Sequence, residues 1–317
     1  MRIIYLGTPE FAVPTLKALI KEPGFEVVAV VCQPDRPSGR GNKVQAPPVK
    51  VVALENGTPV LQPIKLAKEK DIVEAMRALK PDVIVMVAFG QILKKPVLEM
   101  APLGVINLHG SLLPSLRGAA PINWAIINGH EKAGNTTMCT DVGVDTGAML
   151  LKNEVPIELH TDAVELARLL SESGADLMVE TLKKLEAGAI EPVPQDDSQA
   201  SYAPLLDRSL SNIDWSQEPL KIHNLVRGLV PWPGTVSQFR DEPLKIIKTA
   251  PVDSASPEQA GLLIKAGKSI LVACGEEGKG RLQLITVQPR NKPKMQAADW
   301  ANGIRLESGE KLSKVAD

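Results

Sequence analysis

The chain has 317 residues, 44% of them hydrophobic and 23% charged, with a formal net charge of −1. That length exceeds one ordinary core, so two domains are expected, and the balance is that of a globular protein rather than a disordered chain. The near-zero charge argues against a broadly basic nucleic-acid binder, although it can hide a local patch; three widely spaced cysteines with no CxxC pair argue against a disulfide framework or a zinc site and fit a reducing cytosol.

The opening MRIIYLGTPEF carries one basic residue and a short apolar run ending at Gly7. It reads as a first strand over Arg2–Gly7 rather than a secretory signal, and no apolar run approaches the roughly 18 residues of a membrane span. A helix starts near Pro9, where a proline's missing N–H costs nothing. Strands follow at Glu26–Cys32, Asp82–Ala88 and Gly104–His109, with helices at Lys68–Leu79 and Ala119–Gly129. Continuous β-branched runs separated by helices indicate a parallel sheet covered on both faces. Asn135–Asp141 and Gly147–Val155 read as further strands, and Asp162–Ala187 as a long amphipathic helix.

From Ala187 to Pro204 the composition turns to Gly, Pro, acidic and small residues, which reads as a linker. Beyond it a helix at Pro219–Arg227 precedes short strands at Val236–Arg240, Leu244–Lys248, Gly261–Ala266, Ser269–Ala273 and Arg281–Val287, the pattern of a small β-barrel. From Asp207 onward there are 16 Lys and Arg against 13 Asp and Glu, a net of +3, while the remainder has 20 against 24. The asymmetry is mild, and ordinary solvated surface explains it equally well.

Four segments could carry chemistry. Gly7 ends the first strand, but no further glycines follow at GxGxxG spacing, so a dinucleotide cofactor is not expected. Asn107 and His109 stand at i and i+2 near a strand end, which puts them on one face: an amide that can bind an oxyanion beside an imidazole that can move a proton near neutral pH. In the turn Asp141–Gly147 (DVGVDTG), either Asp141 or Asp145 could reach His109 and hold its tautomer, or simply cap the turn; spacing leaves both eligible. The loop Cys32–Lys43 carries Arg36, Arg40 and Lys43 among Gly and Pro. It reads as irregular, either a solvated surface loop or a basic arm that meets phosphates.

Asn107, His109 and Asp145, with SLLP at Ser111–Pro114 and DVGVDTG at Asp141–Gly147, resemble the folate-dependent formyltransferases. GTPEFA, QPDRPSGRG, RGAAPI at Arg117–Ile122 and PWPG at Pro231–Gly234 extend the resemblance to both halves, and toward the branch that acts on an aminoacylated RNA. The resemblance implies an α/β, Rossmann-like parallel-sheet catalytic domain over 1–189, a linker over 190–206, and an OB-like β-barrel over 207–317 that contacts tRNA. It implies 10-formyltetrahydrofolate as donor, with no metal, and the α-amine of methionine on initiator tRNA as acceptor. Asn107, His109 and Asp145 would be catalytic; Ser111, Leu112, Leu113 and Pro114 would line the folate pocket; Arg40, Lys43 and Arg36 would meet the RNA, with the loop around Arg40 mobile until RNA binds. Ser115 and Leu116 depart from the family, which often has larger or basic residues there. The expected setting is a cytoplasmic monomer without membrane attachment.

Two other readings remain. A formyltransferase for a small amine, such as a sugar nucleotide or a glycinamide ribonucleotide, would keep the three catalytic residues without needing the basic loop or the second domain. A non-catalytic RNA-binding protein on the same scaffold has the difficulty that every residue the chemistry needs is present.

Overall fold

The computed structural model describes residues 1–38, 43–254, 257–276 and 280–315. They form two compact units. The first is Met1–Pro121, Ala133–Val155 and Ala167–Ala203; the second is Ile122–Lys132, Pro156–Leu166 and everything from Pro204.

The first unit is a seven-stranded sheet between two helical layers. Its strands are β1 (Arg2–Gly7), β2 (Glu26–Val31), β3 (Val60–Leu61), β4 (Val83–Val87), β5 (Val105–His109), β6 (Lys132–Cys139) and β7 (Met149–Pro156), in the order β7-β6-β5-β4-β1-β2-β3. Strand alternation divides the core. Ile3 and Tyr5 point to the face covered by α1 (Val13–Lys21), α2 (Pro48–Glu55) and α4 (Ala163–Glu186); Ile4 and Leu6 point to the face covered by α3 (Lys70–Ala78). β1 to β5 pair in parallel, as expected for strands buried on both faces, but β6 runs antiparallel to β5, with His109 opposite Thr136. The expected parallel sheet is therefore a mixed one.

Two expectations change here. The stretch expected as a linker is docked on the first unit as far as Ala203: Val193 bridges Met149, and Tyr202 and Ala203 pair in parallel with Arg117 and Gly118. Backbone pairing of this kind leaves no hydrophobic period in the sequence to read. The basic loop is not wholly irregular either, because Arg36–Ser38 pairs antiparallel with Lys43–Gln45. Three-residue strands containing Pro37 are too short to show alternation.

The second unit is an antiparallel sheet of β8 (Thr235–Phe239), β9 (Glu242–Val252), β10 (Leu263–Ala266), β11 (Ser269–Cys274) and β12 (Gly280–Pro289), ordered β8-β9-β12-β11-β10. Near the C-terminus Lys311 bridges Leu262 beside β10, and Ser313 bridges Gln238 in β8. Those bridges join the two edges and close the sheet as a barrel, which leaves no open strand edge there. Its core holds Trp215, Phe239, Val272 and Trp300, with Ile222 and Val226 from α5 (Pro219–Gly228) and Ala297 and Ala301 from α6 (Ala297–Gly303). Among the described residues no helix is long and apolar enough to cross a membrane.

Candidate active site

β5 carries the site because its alternation is split. Ile106 and Leu108 enter one core, so Asn107 and His109 share the opposite face with Val105 and end at the strand's carboxyl edge. Both side chains are buried, at 7% and 6% exposure. Among the described residues nothing hydrogen-bonds the Asn107 amide. The amide is not among the solvent-excluded polar atoms left without a partner, so it reaches solvent at the carboxyl edge of the sheet and is open to a ligand.

The turn after β5 sets the state of His109. Ser111 Oγ donates to the Ser115 carbonyl (2.6 Å), and Thr136 Oγ1 donates to Ser111 O (2.7 Å) while accepting from Leu113 N (3.1 Å). Lys152 Nζ donates to Leu113 O, and partial burial lowers this ammonium's pKa. Leu116 then takes a left-handed conformation (φ +59°), with its N–H on Ser201 Oγ (2.9 Å) and its carbonyl 3.0 Å from His109 Nε2. A carbonyl only accepts, so Nε2 carries the hydrogen and Nδ1 holds a lone pair when the ring is neutral. The tautomer is fixed by the Leu116 backbone and not, as expected, by a carboxylate.

Nδ1 faces Asp145 Oδ2 at 3.6 Å, too far for a hydrogen bond. Asp145 is placed by two hydrogen bonds and by its own backbone conformation. Its Oδ2 accepts from Gly118 N (2.9 Å), its own backbone is left-handed (φ +54°), and Gln195 Nε2 donates to the carbonyls of Asp145 and Gly147, both at 2.8 Å. Asp141 turns into its own loop instead, accepting from Gly143 N (3.0 Å) and Thr146 Oγ1 (2.7 Å). Of the two eligible acids, Asp145 is the one brought to His109. Gln195 is held in turn by Arg117 Nε (2.9 Å), whose Nη2 binds Asp197 (2.8 Å) with the Arg117 side chain 3% exposed. Gln195 and Ser201 have no signature in the sequence, because they act from 48 to 86 residues away along the chain; Arg117 opens the RGAAPI run, but nothing in that run shows its tie to Gln195, 78 residues on.

The remaining expected residues fall elsewhere. Ser111 and Leu113 are buried, and the carbonyls of Ser111, Leu112, Leu113 and Pro114 all accept hydrogen bonds within the fold. That leaves this turn's surface, rather than its carbonyls, to meet a ligand. Ser115 Oγ meets Ser201 Oγ (3.1 Å), and Leu116 is buried. Arg36 is exposed and donates to Gln33 Oε1 (3.1 Å). Lys43 lies in the short ladder opposite Ser38, while Arg40 and the expected mobility of its loop lie outside the described residues.

A proton-accepting imidazole, an adjacent carboxylate and a free amide donor at a sheet's carboxyl edge define an acyl-transfer site. The formyl transferase family matches residues 1–182, and the formyl transferase C-terminal domain matches residues 206–305. The chain belongs to this formyl transferase family. Its curated relatives include methionyl-tRNA formyltransferases of Clostridium novyi (strain NT), 48% identical over 311 residues covering 97% of this chain and 99% of that one, and of Solibacter usitatus (strain Ellin6076), 48% identical over 314 residues and 99% of each. A solved N-formyltransferase from Helicobacter canadensis, described in complex with folinic acid and dTDP-3-aminofucose, has the same fold: TM-score 0.68 at 20% identity, covering 90% of this chain and 98% of that one. Contrary to expectation, then, possession of the second unit does not by itself separate an RNA substrate from a small one.

Proposed function

We propose that the protein transfers the formyl group of 10-formyltetrahydrofolate to the α-amine of methionine on initiator tRNA, as a cytoplasmic monomer. The observation that carries the chemistry is the Asn107 amide, free of internal partners and open at the sheet edge, beside an imidazole with a lone pair on Nδ1. The co-substrate supplies a formyl group already activated on nitrogen. Asn107 donates to the oxygen that gains charge as the amine adds to the formyl carbon, a kind of contact worth roughly 3–4 kcal/mol. His109 Nδ1 takes the proton that the amine loses and returns it to the folate nitrogen as the formyl carbon–nitrogen bond of the donor breaks and tetrahydrofolate leaves. Proton uptake turns two facing acceptors into an imidazolium–carboxylate pair, and Asp145 takes no part in fixing the tautomer. The surface of Ser111–Pro114 forms part of the folate wall, and Arg36, Arg40 and Lys43 contact the RNA. Support for RNA as acceptor comes from the 48% identity to methionyl-tRNA formyltransferases across nearly the whole chain.

The test is incubation with 10-formyltetrahydrofolate and either methionyl-initiator tRNA, an elongator tRNA or an amino-sugar nucleotide, followed by detection of a blocked amine. Formylation of the initiator tRNA is expected. Preference for the sugar nucleotide would overturn the acceptor, and no formylation of any amine would overturn the chemistry. A truncation near Pro192 is not a suitable test, because it removes Gln195 and Ser201 from the site.

A further inference from the structure

Leu116 lies between two peptide units, and Ser201 holds the N–H of both. In the peptide joining Ser115 to Leu116, the carbonyl accepts from Ser111 Oγ (2.6 Å) and the N–H donates to Ser201 Oγ (2.9 Å). In the peptide joining Leu116 to Arg117, the carbonyl lies 3.0 Å from His109 Nε2 and the N–H donates to the Ser201 carbonyl (2.8 Å). Ser201 N also donates to the Pro114 carbonyl (3.4 Å), and Ser201 Oγ meets Ser115 Oγ (3.1 Å). One residue of the segment docked on the first unit therefore reaches every residue from Pro114 to Arg117.

That grip opposes an intrinsic preference. A leucine disfavours the left-handed region, where its Cβ crowds the backbone, yet Leu116 stands there at φ +59°. Turning over the Ser115–Leu116 peptide would return φ to the ordinary negative range. The Ser201 hydroxyl resists that turn by accepting the peptide's N–H, while Ser111 holds its other end.

The consequence falls on His109. A neutral imidazole has one ring hydrogen, and two acceptors compete for it here: the Leu116 carbonyl at Nε2, and Asp145 Oδ2, 3.6 Å from Nδ1. With the carbonyl in place the hydrogen stays on Nε2. With Leu116 released from the left-handed region, the carbonyl is no longer held to Nε2. The carboxylate then draws the hydrogen to Nδ1, and the lone pair facing Asp145 is lost.

We propose that Ser201 is a positioning residue for formyl transfer: its hydroxyl, acting through the Leu116 backbone, keeps His109 in the tautomer whose Nδ1 can accept a proton. The use of that lone pair in turnover rests on the function proposed above. The experiment uses the full chain, free of ligands, with ¹⁵N-labelled histidine. Long-range proton–nitrogen spectra at about pH 8.5, where an ordinary imidazole is neutral, report which ring nitrogen carries the hydrogen, and His109→Gln assigns the signals. Three variants are compared with wild type. Ser201→Ala removes the hydroxyl and Ser201→Thr keeps one. Ser198→Ala is the control, since its hydroxyl donates to Asp196 on the same segment (2.7 Å).

Wild type is expected to carry the hydrogen on Nε2. Ser201→Ala is expected to move most of it to Nδ1 and to lower kcat about tenfold as the competent fraction falls, with the KM values for folate and tRNA within about twofold. Ser201→Thr should restore the tautomer and bring kcat to within about threefold of wild type, and Ser198→Ala should match wild type. A Ser201→Ala ring that keeps its hydrogen on Nε2 overturns the proposal whatever its kcat. So does a moved hydrogen with kcat unchanged, a Ser201→Thr variant that behaves like Ser201→Ala, or a rise in the folate KM alone, which would make Ser201 part of a binding surface. The spectra need no substrate. Wild-type protein that formylates no tRNA therefore sinks the function proposed above, while the tautomer still decides what the Ser201 hydroxyl does.

Discussion

Replacing Gln195 with Ala removes three hydrogen bonds: two from Nε2 to the Asp145 and Gly147 carbonyls, and one to Oε1 from Arg117. Gln195 is half-buried, so water partly replaces them, and at about 1 kcal/mol each the loss is about 2–3 kcal/mol. For a unit of this size that lowers Tm by roughly 4–10 °C. The larger effect is expected on turnover. Asp145 is held left-handed next to His109 by these contacts, and an error of about 1 Å in a reacting group can cost about 100-fold. We expect kcat to fall about 10- to 100-fold with the KM values for folate and tRNA within about threefold, since Gln195 shapes only the proton acceptor. Gln195→Glu keeps the acceptor for Arg117 but turns a carboxylate toward two carbonyls, so it should lower kcat at least as far while melting closer to wild type. Steady-state formylation and thermal melts on both variants decide the matter. A full kcat in Gln195→Glu, or a lower Tm with kcat unchanged in Gln195→Ala, would refute the coupling and leave Gln195 as a brace for the fold.

Asn107→Ala should lower kcat by about 10²–10³-fold at nearly unchanged stability, because the amide has no partner in the described structure to lose; a large drop in Tm would show otherwise. Asp145→Ala should abolish most activity, whereas Asp141→Ala should loosen only its own loop, and equal kcat losses would contradict the division of roles. His223 is kept below its usual pKa by burial, with Arg227 and His160 acting the same way and the Leu159 carbonyl opposing. The unfolded state therefore binds the proton first, so stability is fully present above about pH 6.5 and is lost as pH falls toward the depressed folded value. Melts between pH 8 and pH 5 should show that decline, and His223→Gln should flatten it.

Local rules were enough for much of this protein. Buried strands announced themselves as β-branched runs, and a two-residue repeat placed Asn107 and His109 on one side of a strand end, since strand alternation depends on nothing beyond the strand. Long-range geometry decided what those residues can do. Asp141 and Asp145 are equivalent within their turn, and they part only because Gly118 and Gln195, distant in sequence, are fixed beside Asp145. The His109 tautomer depends on a single carbonyl, brought round by the left-handed Leu116. Residues 190–203 resembled a linker because backbone pairing carries no hydrophobic period, and the barrel's closure by Lys311 and Ser313 was hidden for the same reason. Sequence periodicity records which face a side chain takes; only the folded chain determines what it meets there.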